Sequence, residues 1–86
     1  MKTFTMHSDP GHGWLEVSIQ EARQALLDTS DFSQFSFMRG EKLYLEEDCD
    51  LSRLIGALTE RGITPTFVEH HTNNRSPIRS YEVYRP

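Results

Sequence analysis

The chain has 86 residues, one cysteine and a formal net charge of −4 at neutral pH. This length fits one sheet with two helices and leaves little room for a buried cofactor, so we expect a single domain over residues 1–86 without a cofactor. One cysteine excludes an intrachain disulfide, and no signal-like apolar run opens the chain, so we expect a cytoplasmic protein. No stretch approaches the roughly 18 apolar residues of a membrane span.

The first third of the chain reads as two strands followed by a helix. Apolar residues alternate with threonines over residues 3–6, and residues 14–17 resume the strand pattern after a loop with one proline and two glycines. Ser18 and Glu21 have the spacing of a capping box, in which each side chain accepts from the other residue's backbone N–H. The sequence therefore predicts a long-looped hairpin and then a helix over residues 19–27.

The middle of the chain repeats this order of hairpin and helix. Residues 35–37 and 43–45 have strand composition on either side of Gly40, which predicts a second hairpin. Apolar residues then recur with helical spacing over residues 51–58, and Gly62 follows as a typical C-terminal stop. We therefore expect a second amphipathic helix here.

The last third predicts a third hairpin. Residues 66–70 and 78–84 have strand composition around a polar loop at residues 72–77, and Pro65 precedes the first of these strands. The complete order is β-β-α-β-β-α-β-β. We therefore expect a small α+β domain with an antiparallel sheet of hairpins and two helices packed on one face.

Four carboxylates, Glu46, Glu47, Asp48 and Asp50, lie at the predicted junction of a strand and the second helix. Negative charge at a helix start opposes the helix dipole, and either Asp48 or Asp50 is placed to cap the helix. Capping uses only one or two of the four. The surplus makes all four candidates for a partner-binding acidic surface, while a solvated helix start remains the alternative interpretation.

The loop between the first two strands has the most unusual local composition, Asp-Pro-Gly-His-Gly-Trp at residues 9–14. Because loops often carry binding residues, Asp9 and His12 are candidates for contact with a ligand or a partner. Trp14 is instead expected to fold inward as a core anchor whose indole N–H donates to a carbonyl group.

No pattern in the sequence indicates a metal site or a catalytic site. The four histidines and one cysteine lack a spacing that would bring zinc ligands together, and residues 48–50 lack the repeated donors and the glycine of a calcium loop. Cys49 lies among carboxylates that should raise its pKa and suppress the reactive thiolate. Neither a nucleophile elbow nor a phosphate-binding glycine loop occurs. We therefore expect no bound metal and no enzymatic activity.

The C-terminal segment has the opposite charge. Arg75 and Arg79, with tyrosines nearby, form a candidate basic patch for phosphates and stacked bases. Cross-strand pairing with acidic residues would explain these arginines equally well. A small nucleic-acid-binding module is therefore the alternative function, and the net charge of −4 makes it the less favoured one.

Three segments, DPGHGWLEV at residues 9–17, YLEEDCD at residues 44–50 and SPIR at residues 76–79, together resemble a family of short proteins encoded in phages and other mobile elements of proteobacteria. The resemblance carries no catalytic motif. It implies a context in which small acidic proteins inhibit host defence, as anti-CRISPR proteins do.

The expected function is therefore a non-enzymatic protein-binding domain that inhibits a host defence complex through its acidic surface. The expected partner is a host protein or complex with a basic surface, met in the cytoplasm of the host cell. We expect no membrane association, nucleic acid is not the expected ligand, and a homodimer stays open.

Overall fold

A computed structural model describes residues 2–25, 32–33 and 35–85. The described residues form six strands, two α-helices and one 3-10 helix. The strands are β1 Lys2–Ser8, β2 Gly13–Ser18, β3 Phe37–Arg39, β4 Lys42–Glu46, β5 Pro65–His71 and β6 Glu82–Val83. The helices are α1 Ile19–Ala25, α2 Leu51–Glu60 and the 3-10 helix Pro77–Ser80. The expected α+β composition is confirmed.

The strands form one mixed sheet in the order β5-β1-β2-β4-β3-β6. Four neighbouring pairs are antiparallel, but β5 runs parallel to β1, so the expectation of a wholly antiparallel sheet is wrong. The prediction of a third hairpin is also wrong, because β5 and β6 lie at opposite edges of the sheet and do not pair with each other. Strand periodicity identifies which residues form strands, but it carries no information about which strands pair.

The predicted strand over residues 78–84 is wrong over its first half. Pro77 opens the 3-10 helix, and Ser76 caps it by accepting a hydrogen bond from the Ile78 backbone N–H at 3.2 Å. Proline has no N–H to donate to a sheet, and its fixed φ suits the start of a helical turn. Only Glu82–Val83 remain as a strand, paired with β3.

Both helices start where the sequence predicts. The Glu21 backbone N–H donates to Ser18 Oγ at 3.0 Å and the Ser18 N–H donates to Glu21 Oε1 at 3.2 Å, which confirms the capping box. The predicted end of this helix lies outside the described residues. The second helix ends before Gly62, whose φ of +76° is typical of a residue that follows a helix.

Successive residues of a strand point to opposite faces of the sheet, and the two faces differ here. We call the side beneath the helices the helix face, because Leu15, Leu45 and Leu54 belong to one apolar cluster that includes residues of both helices. We call the other side the open face, where Trp14 and Tyr44 form a second, smaller cluster with Ile78 of the 3-10 helix. Within the described ranges, no helix is long and apolar enough to cross a membrane.

Candidate functional site

Three segments that are distant in sequence meet at one end of the open face. They are the β1–β2 loop at residues 9–12, the turn at residues 47–50 and the start of the 3-10 helix. The Glu47 N–H donates to the Gly13 carbonyl at 3.0 Å, and the Ser76 N–H donates to Asp9 Oδ2 at 2.9 Å. These three segments are therefore joined by backbone and side-chain hydrogen bonds into one site.

Asp9 holds two of these segments together. Its buried carboxylate accepts from Arg79 Nε at 2.6 Å and Nη2 at 2.8 Å, and from the backbone N–H groups of Gly11, His12 and Ser76 at 2.9 to 3.0 Å. The Arg79 side chain first, and then these backbone groups, hold the pKa of Asp9 far below its usual range. The carboxylate of Asp9, which the sequence made a candidate for partner contact, is therefore occupied by hydrogen bonds that hold the loop in place.

Arg79 is correspondingly not a free phosphate-binding residue. Its guanidinium forms the two-pronged pair with Asp9 and lies 5.1 Å from the centre of the Trp14 ring. A Cβ atom at Gly11 would lie 2.7 Å from Arg79 Nη2, so a larger residue there would require the guanidinium to shift. Arg75, the other residue of the predicted basic patch, is exposed nearby.

Asp50 is buried, with 2% of its surface exposed. Its carboxylate accepts from the Ser33 N–H and hydroxyl at 2.8 to 2.9 Å and from the Ser36 hydroxyl, and it makes no capping hydrogen bond to α2. Asp50 is at the N-cap position, but the prediction that its side chain caps the helix is wrong. Its carboxylate instead accepts hydrogen bonds from Ser33 and Ser36, which precede β3. Asp48, the other expected cap, lies two residues earlier in the turn.

Glu46 is buried as well, with 5% of its surface exposed. Its Oε2 atom accepts from the Asp48 and Cys49 N–H groups at 2.7 and 2.9 Å, and its Oε1 atom lies 3.2 Å from His12 Nδ1. The expectation that all four acidic residues form an exposed surface is therefore wrong for Glu46 and Asp50. Only Glu47 and Asp48 are exposed.

A cleft of about 320 Å³ opens where the three segments meet. Phe35 stands at its edge with 59% of its surface exposed. The cleft combines aromatic walls, carboxylates, an imidazole, a thiol and a guanidinium, and such a mixture can hold a polar group beside an apolar one. The residues that line it are His12, Trp14, Phe35, Phe37, Glu46, Asp48, Cys49 and Arg79.

Trp14 is buried as expected, with 2% of its surface exposed. Its indole Nε1 has no hydrogen-bond partner in the described part of the chain, so the expected carbonyl acceptor is wrong there. A buried donor without an acceptor is unfavourable by about 1–3 kcal/mol. Trp14 is therefore a buried residue of the cleft wall whose indole N–H is unpaired among the described residues.

Cys49 is exposed at the cleft, and its pKa is raised as the sequence predicts. Loss of hydration against neighbouring atoms contributes most, followed by the hydrogen bond and negative charge of Glu46 and the charge of Asp50. The thiol therefore stays protonated at neutral pH and is a poor nucleophile.

The segment just before β3 contributes to the site, although no residue in it was predicted to be functional. Phe35 and Phe37 line the cleft, while Ser33 and Ser36 bind Asp50. Serines between phenylalanines in this short stretch were a signal that a polar group had to be satisfied inside an aromatic segment.

Comparisons with protein-family models, with curated proteins and with solved structures give no match for this chain.

Proposed function

We propose that the chain is a non-enzymatic protein-binding domain and that it meets its partner through the cleft and the adjoining residues Phe35, Glu47 and Asp48. The observation that supports this most is that the exposed side chains of Phe35 and Asp48 line the same cleft, while Glu47 is exposed at the adjoining turn. Binding energy in protein interfaces concentrates in a few aromatic anchors near a pocket. A phenylalanine that is exposed at the wall of a cleft is a candidate for such an anchor.

The charge of this surface selects the type of partner. Glu47 and Asp48 are exposed at the turn, while the guanidinium of Arg79 is already matched by Asp9. The surface is therefore acidic and aromatic, which complements a partner surface that presents arginine or lysine beside apolar groups. A net charge of −4 speeds encounter with such a partner at low ionic strength.

The setting in which this binding operates follows from the family resemblance. A host defence complex that handles nucleic acid carries a basic surface, and an acidic domain can compete for it. The proposed role is therefore that of a mobile-element inhibitor, similar to an anti-CRISPR protein, acting in the host cytoplasm. Binding of nucleic acid through Arg75 and Arg79 has less support, because the charge of Arg79 is used by Asp9.

The test compares two double variants that each replace one exposed apolar residue by serine and one exposed glutamate by lysine, at different places. Phe35→Ser with Glu47→Lys alters the proposed surface, whereas Val68→Ser with Glu69→Lys alters β5, where Val68 is 56% exposed and Glu69 is exposed. The immobilised chain is used to capture proteins from a proteobacterial host lysate, and the captured proteins are identified by mass spectrometry.

We expect the first double variant to lose a partner that the wild type and the second variant both retain. A partner lost equally from both variants, or from neither, would contradict this surface. Titration with labelled oligonucleotides checks the alternative: tight binding that Arg75→Ala with Arg79→Ala abolishes would favour the nucleic-acid module.

A further inference from the structure

Three side chains that can bind a metal ion meet in the cleft, although the sequence gave no reason to expect them together. His12 comes from the β1–β2 loop, and Glu46 and Asp48 come from the end of β4 and the turn after it. One ligand atom of each residue lies within 4.8 Å of the other two. The fold therefore brings together an imidazole and two carboxylates from segments more than 30 residues apart.

The separation of the first two ligand atoms suits a shared ion. His12 Nδ1 and Glu46 Oε1 are 3.2 Å apart. Zinc bonds to nitrogen and oxygen of about 2.0–2.2 Å place neighbouring ligand atoms about 3.4 Å apart in a tetrahedron and about 3.0 Å apart in an octahedron. The distance between these two atoms is therefore within the range that two ligands of one ion show.

Glu46 is also positioned as a metal-binding carboxylate is. The N–H groups of Asp48 and Cys49 hold Oε2 at 2.7 and 2.9 Å, which leaves Oε1 directed at His12. Such hydrogen bonds from neighbouring groups fix the orientation of metal ligands in proteins. Asp48 is exposed, so its carboxylate can turn to complete the set.

The wall of the cleft beside these ligands is aromatic. Trp14 lines the cleft with 2% of its surface exposed, and its Nε1 donor has no acceptor among residues 2–25, 32–33 and 35–85. A metal ion brings water or an anion with it, because three protein ligands leave at least one position open.

We infer that His12, Glu46 and Asp48 bind one divalent transition-metal ion, for which zinc is the best match. A set of one imidazole and two carboxylates suits zinc better than calcium, which prefers oxygen ligands alone. Cys49 lines the same cleft and can become a further ligand if the metal displaces its proton. This inference does not depend on the proposed protein partner.

The test uses the purified full chain after treatment with a chelator. Zinc affinity is measured by calorimetry, and cobalt(II) is added separately because its visible absorption reports the number of ligands. The variants His12→Gln and Asp48→Asn each remove one ligand. Two controls remove the same chemical groups outside the cluster: His70→Gln takes away an exposed imidazole, and Glu47→Gln takes away an exposed carboxylate next in sequence.

We expect the wild type and both controls to bind zinc and to give a cobalt spectrum, and each ligand variant to bind at least about tenfold more weakly. Wild-type protein that binds neither ion would overturn the inference, as would an equal loss of affinity in the control variants. Circular dichroism checks folding. Asp48→Asn changes an exposed side chain without changing its size, so it stays decisive if His12→Gln disturbs the loop.

Discussion

The two faces of the sheet are stabilised in different ways. On the helix face, Leu15, Leu43 and Leu45 are almost fully buried with apolar residues of both helices, so the hydrophobic effect stabilises this side. On the open face, the buried carboxylates of Asp9 and Glu46 are satisfied by hydrogen bonds from loops and turns. The difference indicates that the helix face maintains the fold, whereas the open face maintains the shape of the cleft.

The largest effect should come from the helix face. Leu15→Ala removes a fully buried side chain and should lower the free energy of unfolding by about 2–5 kcal/mol. Val68→Ala, on an exposed position of β5, is the control and should change it by less than about 0.5 kcal/mol. Urea denaturation measures both. A small effect of Leu15→Ala would mean that the apolar cluster is not the main source of stability.

The next effect concerns Asp9 and should depend on pH. Its pKa is lowered in the folded state, chiefly by Arg79, while an unfolded aspartate titrates at about 3.9. The ionised carboxylate therefore contributes stability at every pH above that value, and the contribution is lost as the pH falls below about 4 toward the folded pKa. Asp9→Asn should be destabilised relative to wild type by a constant amount from pH 7 to pH 5, and the difference should shrink in more acidic solution.

Urea denaturation at several pH values between 3 and 7 tests this dependence on Asp9. A difference between wild type and Asp9→Asn that stays constant down to pH 3 would contradict the proposed role of the ionised carboxylate. Arg79→Gln serves as the partner variant. It should reduce the same pH dependence, because it removes the largest cause of the lowered pKa.

A smaller effect should separate the two buried acidic residues from their exposed neighbours. Asp50→Asn keeps the size of the side chain but turns one acceptor of the Ser33 and Ser36 hydrogen bonds into a donor, so it should cost about 1–3 kcal/mol of unfolding free energy. Asp48→Asn makes the same change on an exposed side chain and should cost less than about 0.5 kcal/mol. Equal effects of the two would mean that burial does not distinguish them.

The sequence predicts the helix face well because local patterns determine it. The alternation that buries Leu15 and Val17, and the helical spacing that buries Leu54 and Leu58, can each be read within a short window. The capping box at Ser18 is equally local. The parallel pairing of β5 with β1 was not predictable from such windows. It depends on the position at which the chain leaves α2 relative to the sheet.

The open face was predicted poorly because its interactions join distant residues. Asp9 meets Arg79 across 70 positions, and His12 meets Glu46 across 34. The sequence identified all four residues as candidates from their composition, but it assigned the two partners of each pair to different surfaces. No local rule distinguishes a carboxylate that will be buried against a distant donor from one that will remain exposed, as Glu46 and Glu47 show.

The smallest effect concerns the reactivity of Cys49 on the open face. Its thiol is exposed but has a raised pKa, so less of it is thiolate at neutral pH than in the unfolded chain. Alkylation by iodoacetamide at pH 7, with a chelator present, should therefore be slower for the folded chain than for the same chain in urea. The difference should shrink as the pH is raised, because the thiol of the folded chain then ionises as well. A folded chain that reacts as fast as the unfolded one at pH 7 would show that Glu46 and the surrounding atoms do not control this thiol. The residues of the open face would then determine the shape of the cleft without changing the pKa of its thiol.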